Sequence, residues 1–161
     1  MKQHLLILIT ACFVWQCKSP SVPPAPTPAP GQTKTEMLTA KEWKLTAATV
    51  NPAYDYFGQQ RRITDIYAWL APCAKDDLYR YTLPNLLTIS DGPQVCGGFA
   101  SAGSFKWVFN TDETELTQFF SPISPDKTYT IETLSSDKLV LVERKTISGD
   151  VYTFKFEYSK Q

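Results

Sequence analysis

Histidine, glycine and net charge are all scarce in this chain, and each shortage removes a class of function. The sole histidine is His4. It lies in what reads as a leader, so the rest of the chain has none. That excludes Ser-His-Asp and Cys-His catalysis and histidine-ligated metal sites. Lys plus Arg number 16 and Asp plus Glu number 16, for a formal net charge of +0. No basic run occurs. Phosphate binding needs a clustered excess of Lys and Arg, so no nucleic-acid partner is expected. The 7 glycines form no phosphate-cradling loop, and no nucleophile motif is present. The expectation is a protein that is not an enzyme, with no cofactor and no metal. No apolar run reaches the ~20 residues of a membrane-spanning helix.

What the chain does have begins with a leader. Met1 to His4 is a short n-region with Lys2, and Leu5 to Trp15 is an apolar run of signal-peptide length. Two cysteines follow. Ile9-Thr10-Ala11-Cys12 has the small residue that a lipobox needs before its cysteine. Val14-Trp15-Gln16-Cys17 has a poorer residue there but a better length, and the polar Lys18-Ser19-Pro20 begins directly after it. Residues 1–16 are thus expected to be a lipoprotein signal peptide, with Cys17 lipidated and Cys12 as the alternative. Residues 17–34 continue as a proline-rich stalk. Proline at this density enforces extended backbone and removes donors, so the segment supplies reach and no core. An acylated cysteine before such a stalk implies anchoring to a membrane of the cell envelope, the outer membrane by expectation.

Residues 35–161 have the marks of an all-β domain. Short runs rich in Val, Ile, Thr, Tyr, Phe and Trp alternate with turn residues. Met37 to Lys41 reads as a brief helical turn with Thr39 as a cap. Trp43, Leu45 and Ala47 then share one face of a strand that Asn51-Pro52 ends. Further strands are expected at Ile63 to Leu70, Leu78 to Leu83, Leu86 to Ser90, Phe105 to Phe109, Glu115 to Phe120, Thr128 to Leu134, Lys138 to Lys145 and Val151 to Tyr158. In the last of these, Tyr152, Phe154, Phe156 and Tyr158 fall on one face. The connections are short, so neighbours should pair antiparallel in a meander. About eight such strands predict an up-and-down antiparallel β-barrel, with a β-sandwich as the other architecture.

A short chain behind a secretory signal pairs its cysteines, which joins Cys73 to Cys96 across the next strand. Asp76 and Asp77 read as turn formers. As adjacent residues their side chains point opposite ways, so they do not form a catalytic pair. Trp43, Trp69, Trp107 and the ladder of Tyr152, Phe154, Phe156 and Tyr158 are either plain core or the walls of a ligand cavity. Tyr56 and Phe57, in an aromatic loop from Tyr54 to Gly58, would then cover its opening. Arg61, Arg62 and Arg80 are candidates to receive a carboxylate, or are solvated strand ends.

These features together resemble the lipocalin-like domain of small bacterial lipoproteins. The residues that carry the resemblance are Leu38 with Lys41-Glu42-Trp43-Lys44-Leu45, and the corner Cys73-Ala-Lys-Asp76-Asp77-Leu78-Tyr79-Arg80-Tyr81. The others are Cys96, Phe105-Lys106-Trp107, and Tyr129-Thr-Ile131-Glu-Thr-Leu134 before Leu139-Val-Leu141. One position departs from the lipocalin pattern: Lys41 stands where lipocalins place a glycine two residues before the first-strand tryptophan. The resemblance implies an eight-stranded barrel and an internal cavity for a small apolar molecule. The alternative is a filled barrel that binds another envelope protein through its surface.

Overall fold

A computed structural model describes residues 31–97, 103–120 and 125–161. The leader with Cys12 and Cys17, and the proline-rich run up to residue 30, lie outside the described residues. So does Pro122, read from the sequence as one edge of a loop.

The described chain runs α1 (Lys34–Thr39), β1 (Glu42–Tyr54), β2 (Ile63–Asp65), α2 (Ile66–Trp69), α3 (Pro72–Lys75), β3 (Leu78–Thr82) and β4 (Leu86–Ser90). It continues with β5 (Gly103–Phe109), β6 (Glu115–Phe119), β7 (Lys127–Leu134), β8 (Lys138–Ile147) and β9 (Asp150–Lys160). From β3 onward each strand pairs antiparallel with the next, as short connections require. β1 pairs with β3 on one side and with β9 on the other, which closes eight strands into an up-and-down barrel. β2 is extra. It pairs with the far end of β1, between Thr49–Asp65 and Tyr54–Ile63, above the point where β3 stops.

Alternation fills the interior. Tyr152, Phe154 and Tyr158 of β9, Leu87 and Ile89 of β4, and Leu116 and Gln118 of β6 are all buried, while their sequence neighbours are mostly not. The expected strands at Leu78, Leu86, Phe105, Glu115, Thr128, Lys138 and Val151 are all found, with ends displaced by at most two residues.

The barrel has two unlike ends. At one, α1 packs beside β3 and β7, and the β3–β4, β5–β6 and β7–β8 turns gather around it. Met37 and Leu38 on α1 are buried, and the Trp43 indole Nε1 donates to the Leu38 carbonyl at 2.8 Å. Lys34 Nζ reaches the Glu113 carbonyl of the β5–β6 turn. Inside this end lie Trp43, Tyr81, Leu87, Leu116 and Leu139, each at 1% exposure or less. Tyr81 and Trp107 meet edge to face, with centroids 5.8 Å apart. Such a pair is worth about 0.5–1.5 kcal/mol beyond its buried area. This is the closed end.

Four sequence expectations need correction. The helical turn begins earlier than expected, and its cap is Thr33, not Thr39. Thr33 and Glu36 form a reciprocal capping box, whereas the Thr39 hydroxyl merely donates back to Thr35 O. In β1 the register slips between Leu45 and Ala47, so Ala48, not Ala47, follows Leu45 into the core. One extra residue turns every later side chain to the opposite face. β1 also runs through Pro52 to Tyr54 rather than ending at Asn51-Pro52. Finally, Ile63 to Leu70 is not one strand. It is three strand residues followed by a helical turn, which Asp65 caps by accepting from Ala68 N at 2.9 Å. Only Ile63 and Ile66 of that stretch are buried.

Candidate functional site

Among the described residues the second end of the barrel is the less filled one, and its construction follows from two short strands. Leu78 at the start of β3 pairs with Lys44, low on β1, and also with Ser90 at the end of β4. Above that level the wall beside β1 is supplied by β2, α2 and α3. Pro72 starts α3 and Asp76 caps its C-terminus. Cys73 on α3 is joined to Cys96 in the β4–β5 connection, with Cα atoms 5.3 Å apart, as the sequence predicted. Gly92 crosses so near Asp76 that a Cβ there would collide with the Asp76 backbone, so this crossing needs glycine. The Asp76 carboxylate accepts from Gln94 N at 3.0 Å, which fastens the same connection a second time.

Asp76 therefore faces the β4–β5 connection and caps backbone, as expected. Asp77 is 4% exposed and borders a space of about 220 Å³ inside the barrel. Leu45, Ala48, Ile89, Gln118, Phe120 and Tyr129 give that cavity its barrel walls, and Ile66, Leu70 and Ala74 are brought to it by α2 and α3. Tyr56, Tyr79, Tyr158, Phe156 and Lys127 complete it. A smaller space of about 130 Å³ lies nearer the rim, among Tyr54, Tyr56, Lys127, Glu143, Lys145 and Phe154. The two share Tyr56, Lys127 and Phe156.

The cavity is unusually rich in phenols. Tyr79 and Tyr158 meet at 5.3 Å between centroids, and Tyr129 stands edge to face with Phe156 at 5.8 Å. Gln118, 3% exposed, donates to the Tyr81 hydroxyl at 2.6 Å at the floor. Burial pushes the Tyr79 phenol up to about 12, with the Asp77 charge adding to it. Burial also holds Tyr129 and Tyr158 well above the ordinary phenol value, and the Glu143 charge adds to the rise at Tyr129. Tyr56 is raised by burial and then by Glu143. All four phenols stay protonated at neutral pH, so they offer hydrogen bonds without adding charge.

The candidate residues read from the sequence are now dispersed. Tyr56 and Phe156 line the cavity, and Phe154 lines the rim space. Trp43 and Trp107 belong to the packed closed half, with the Trp107 indole donating to Thr82 O at 3.2 Å and to Leu86 O at 3.1 Å. Phe57 is 40% exposed and leans on Tyr56 at 5.1 Å. Trp69, 44% exposed, is on helix α2 rather than a strand, and Arg61 stacks 3.9 Å over its ring. Arg62 donates to the Tyr152 hydroxyl at 3.0 Å. Tyr158, part of the aromatic face of the last strand, also lines the cavity, whereas Asp77, Tyr79, Gln118 and Tyr129 were not among the sequence candidates for its walls.

A larger concavity, about 730 Å³, lies outside the barrel between the β3–β4 turn and the outer faces of β5 and β6. Leu86, Val108 and Phe119 form it, and Leu83 beside it is 67% exposed. Among the described residues no group of three His, Cys, Asp or Glu side chains could hold a metal ion, and no helix is long and apolar enough to cross a membrane.

The site and fold define an eight-stranded up-and-down barrel with a small space inside it. No family model matches the chain, and no curated protein does. Among solved structures the chain is similar to Japanin from Rhipicephalus appendiculatus bound to cholesterol, at 14% identity. That similarity covers 77% of this chain and 76% of the other, with a TM-score of 0.46, and does not define a ligand for this protein.

Proposed function

We propose that this protein is a lipid-anchored envelope lipoprotein whose barrel holds a small molecule in its less filled half. The observation that carries the binding reading is the space of about 220 Å³ walled by six barrel strands and the α2–α3 segment. It has room for about seven waters or one compact ligand of similar bulk. Drug-sized ligands occupy roughly 300–1,000 Å³, so a large ligand would require the α2–α3 wall to move. The walls are apolar in the main, which suits the small apolar molecule expected from the resemblance, but the phenols and Gln118 ask for a polar group on it as well. Native mass spectrometry of the purified protein tests this. A bound compound that is lost in the cavity-filling variant Ala48→Leu is the expected result. An empty protein that takes up no small aromatic or aliphatic probe would overturn it.

Anchoring rests on the leader and on the cysteine before the proline-rich run, with Cys17 as the lipidated residue and Cys12 as the alternative. Mass spectrometry of the N-terminal peptide should find an acylated Cys17. Cys17→Ser should then release the protein from the envelope membrane while Cys12→Ser leaves it there. The reverse outcome assigns the anchor to Cys12.

A second reading, docking of another envelope protein, is favoured by one observation, the exposed Leu83 and Leu86 beside the outer concavity. Crosslinking in the intact envelope should trap a partner that Leu86→Lys abolishes; a cleanly monomeric pattern removes this reading.

A further inference from the structure

We propose that the face built from the 55–62 loop, α2 and α3 rests on a bilayer that carries anionic phosphate headgroups, with Phe57 and Trp69 entering the headgroup layer and Arg61, Arg62 and Lys75 binding phosphate. This inference uses neither the space inside the barrel nor the lipid anchor. Four observations carry it.

First, two large aromatics are turned to solvent. Phe57 and Trp69 are exposed, whereas Trp43 and Trp107 are buried. The loop that presents Phe57 is held in shape. Gly58 takes a φ of 67°, and the Asp55 carboxylate accepts from Gln59 N at 2.9 Å and from Gln60 N at 2.7 Å. Trp69 is placed by α2, which Asp65 caps. Among the described residues its indole N–H has no hydrogen-bond partner, while those of Trp43 and Trp107 do. An apolar ring with one free donor is suited to the boundary between lipid and water.

Second, three cations share the face, each pinned by an uncharged group. The Arg61 guanidinium lies 3.9 Å over the Trp69 ring, and Arg62 donates to the Tyr152 hydroxyl at 3.0 Å. Lys75 Nζ stands 5.0 Å from the Tyr67 ring centre and donates to Ala68 O at 3.4 Å. Stacking occupies the flat side of a guanidinium and leaves its edge donors for phosphate. Among the described residues the ion pairs are those of Lys138 and Lys155, and none involves Arg61, Arg62 or Lys75.

Third, the carboxylates of the same face are bonded to backbone. Asp55 accepts from its own loop and Asp65 from Ala68 N. Three cations against these two leave a small positive excess. Attraction to an anionic surface is therefore weak, and the two rings must add to it.

Fourth, Phe57, Arg61, Arg62, Trp69 and Lys75 line neither the spaces inside the barrel nor the outer concavity. A small soluble ligand asks for a cleft. Exposed rings and cations outside these hollows suit an extended anionic surface.

Co-sedimentation with vesicles tests this, using the full-length chain with Cys12→Ser and Cys17→Ser so that no acyl group contributes. Vesicles of equal parts phosphatidylglycerol and phosphatidylcholine should bind it about tenfold more tightly than phosphatidylcholine alone, an advantage that fades with salt. Arg61→Glu with Arg62→Glu should erase that advantage, and Trp69→Ala should weaken binding to the mixed vesicles about threefold. Lys41→Glu with Lys106→Glu makes the same change of net charge at exposed positions away from this face and should leave binding within about twofold. The apolar leader is common to every variant, so it does not affect these differences. Equal affinity for the two kinds of vesicle would overturn the proposal. So would an equal loss in both pairs of charge reversals, which would reduce the effect to net charge. Binding untouched by Trp69→Ala would also overturn it. Should the first pair fail to fold, the ranking of the vesicles and the Trp69→Ala result still decide.

Discussion

At the closed end, Trp43, Tyr81, Leu116 and Leu139 pack until nothing larger than a trace of surface remains, whereas the other end leaves about 220 Å³ among phenols and a carboxylate. Both ends are made from the same strands with the same alternation. The difference lies in what closes them. One is stoppered by a helix with its own capping box and by an indole bonded to the chain five residues earlier. The other is walled by three short elements that replace the missing upper part of β3 and are held by a disulfide. The first end is filled by side chains, and the second keeps space among them.

That contrast can be broken most sharply at Trp43. Trp43→Ala should cost about 3–5 kcal/mol, through the cavity it leaves and the lost bond to Leu38 O, read as a shift in urea midpoint at constant slope. A loss under about 1 kcal/mol would show that the closed end does not hold the barrel together.

Opening the Cys73–Cys96 bond, by Cys73→Ser with Cys96→Ser, should cost about 3 kcal/mol on the chain-entropy model for a separation of 23 residues. Hydrogen exchange should then quicken at α2, α3 and the start of β3 while α1 stays protected. Uniform loss of protection would mean that the two ends are one cooperative unit.

Alkali should act from the less filled end. Tyr79 ionises near 12 in the folded protein and near 10 when unfolded. Between those values the unfolded chain holds fewer protons, so its share of stability is intact below pH 10 and is lost as pH rises towards 12. The two-unit rise corresponds to roughly 2–3 kcal/mol from Tyr79, and Tyr129 and Tyr158 shift the same way. Denaturant midpoints measured from pH 9 to 12 should fall steeply above 10, and Tyr79→Phe should lessen the slope.

The smallest effect has the opposite sign. Ala48→Leu adds apolar bulk to an existing void and should change thermal stability by no more than about 1 kcal/mol, in the stabilising direction, while blocking ligand uptake. Marked destabilisation would show that the space is tighter than about 220 Å³.

The closed end was largely legible in the sequence and the other end was not. Strict alternation in Phe105–Phe109 and Tyr152–Tyr158 identified strands and their buried faces, because one face of each is water-excluded and the period is two. Alternation fails where a bulge inserts a residue, as between Leu45 and Ala47, and where both faces are apolar, as in Ile63–Leu70. There the decisive signals were local: Asp65 three residues before Ala68, and Pro72 at the start of α3. The capping box at Thr33 and Glu36 was also readable, and the turn had been placed slightly too late. The site was harder still. Aromatic bulk favours Trp43 and Trp107, which fill space, and alternation alone says that Asp76 and Asp77 point opposite ways without saying which of them faces the interior. Which of two adjacent aspartates faces inward depends on the corner that Cys96 and Gly92 make, and those residues lie about twenty positions away.

The seam of the barrel sets an order of events. β1 meets β9 from Trp43–Lys160 to Asn51–Thr153, joining positions more than a hundred residues apart. The ladders from β1–β3 to β7–β8 can form before the last strand exists, but sealing waits for that final segment. A chain emerging from a ribosome or crossing a membrane therefore stays an unsealed ribbon, with its inward aromatics uncovered, until its last strand is free. That delay leaves the inward faces of the earlier strands without their last neighbour until β9 docks on both β8 and β1.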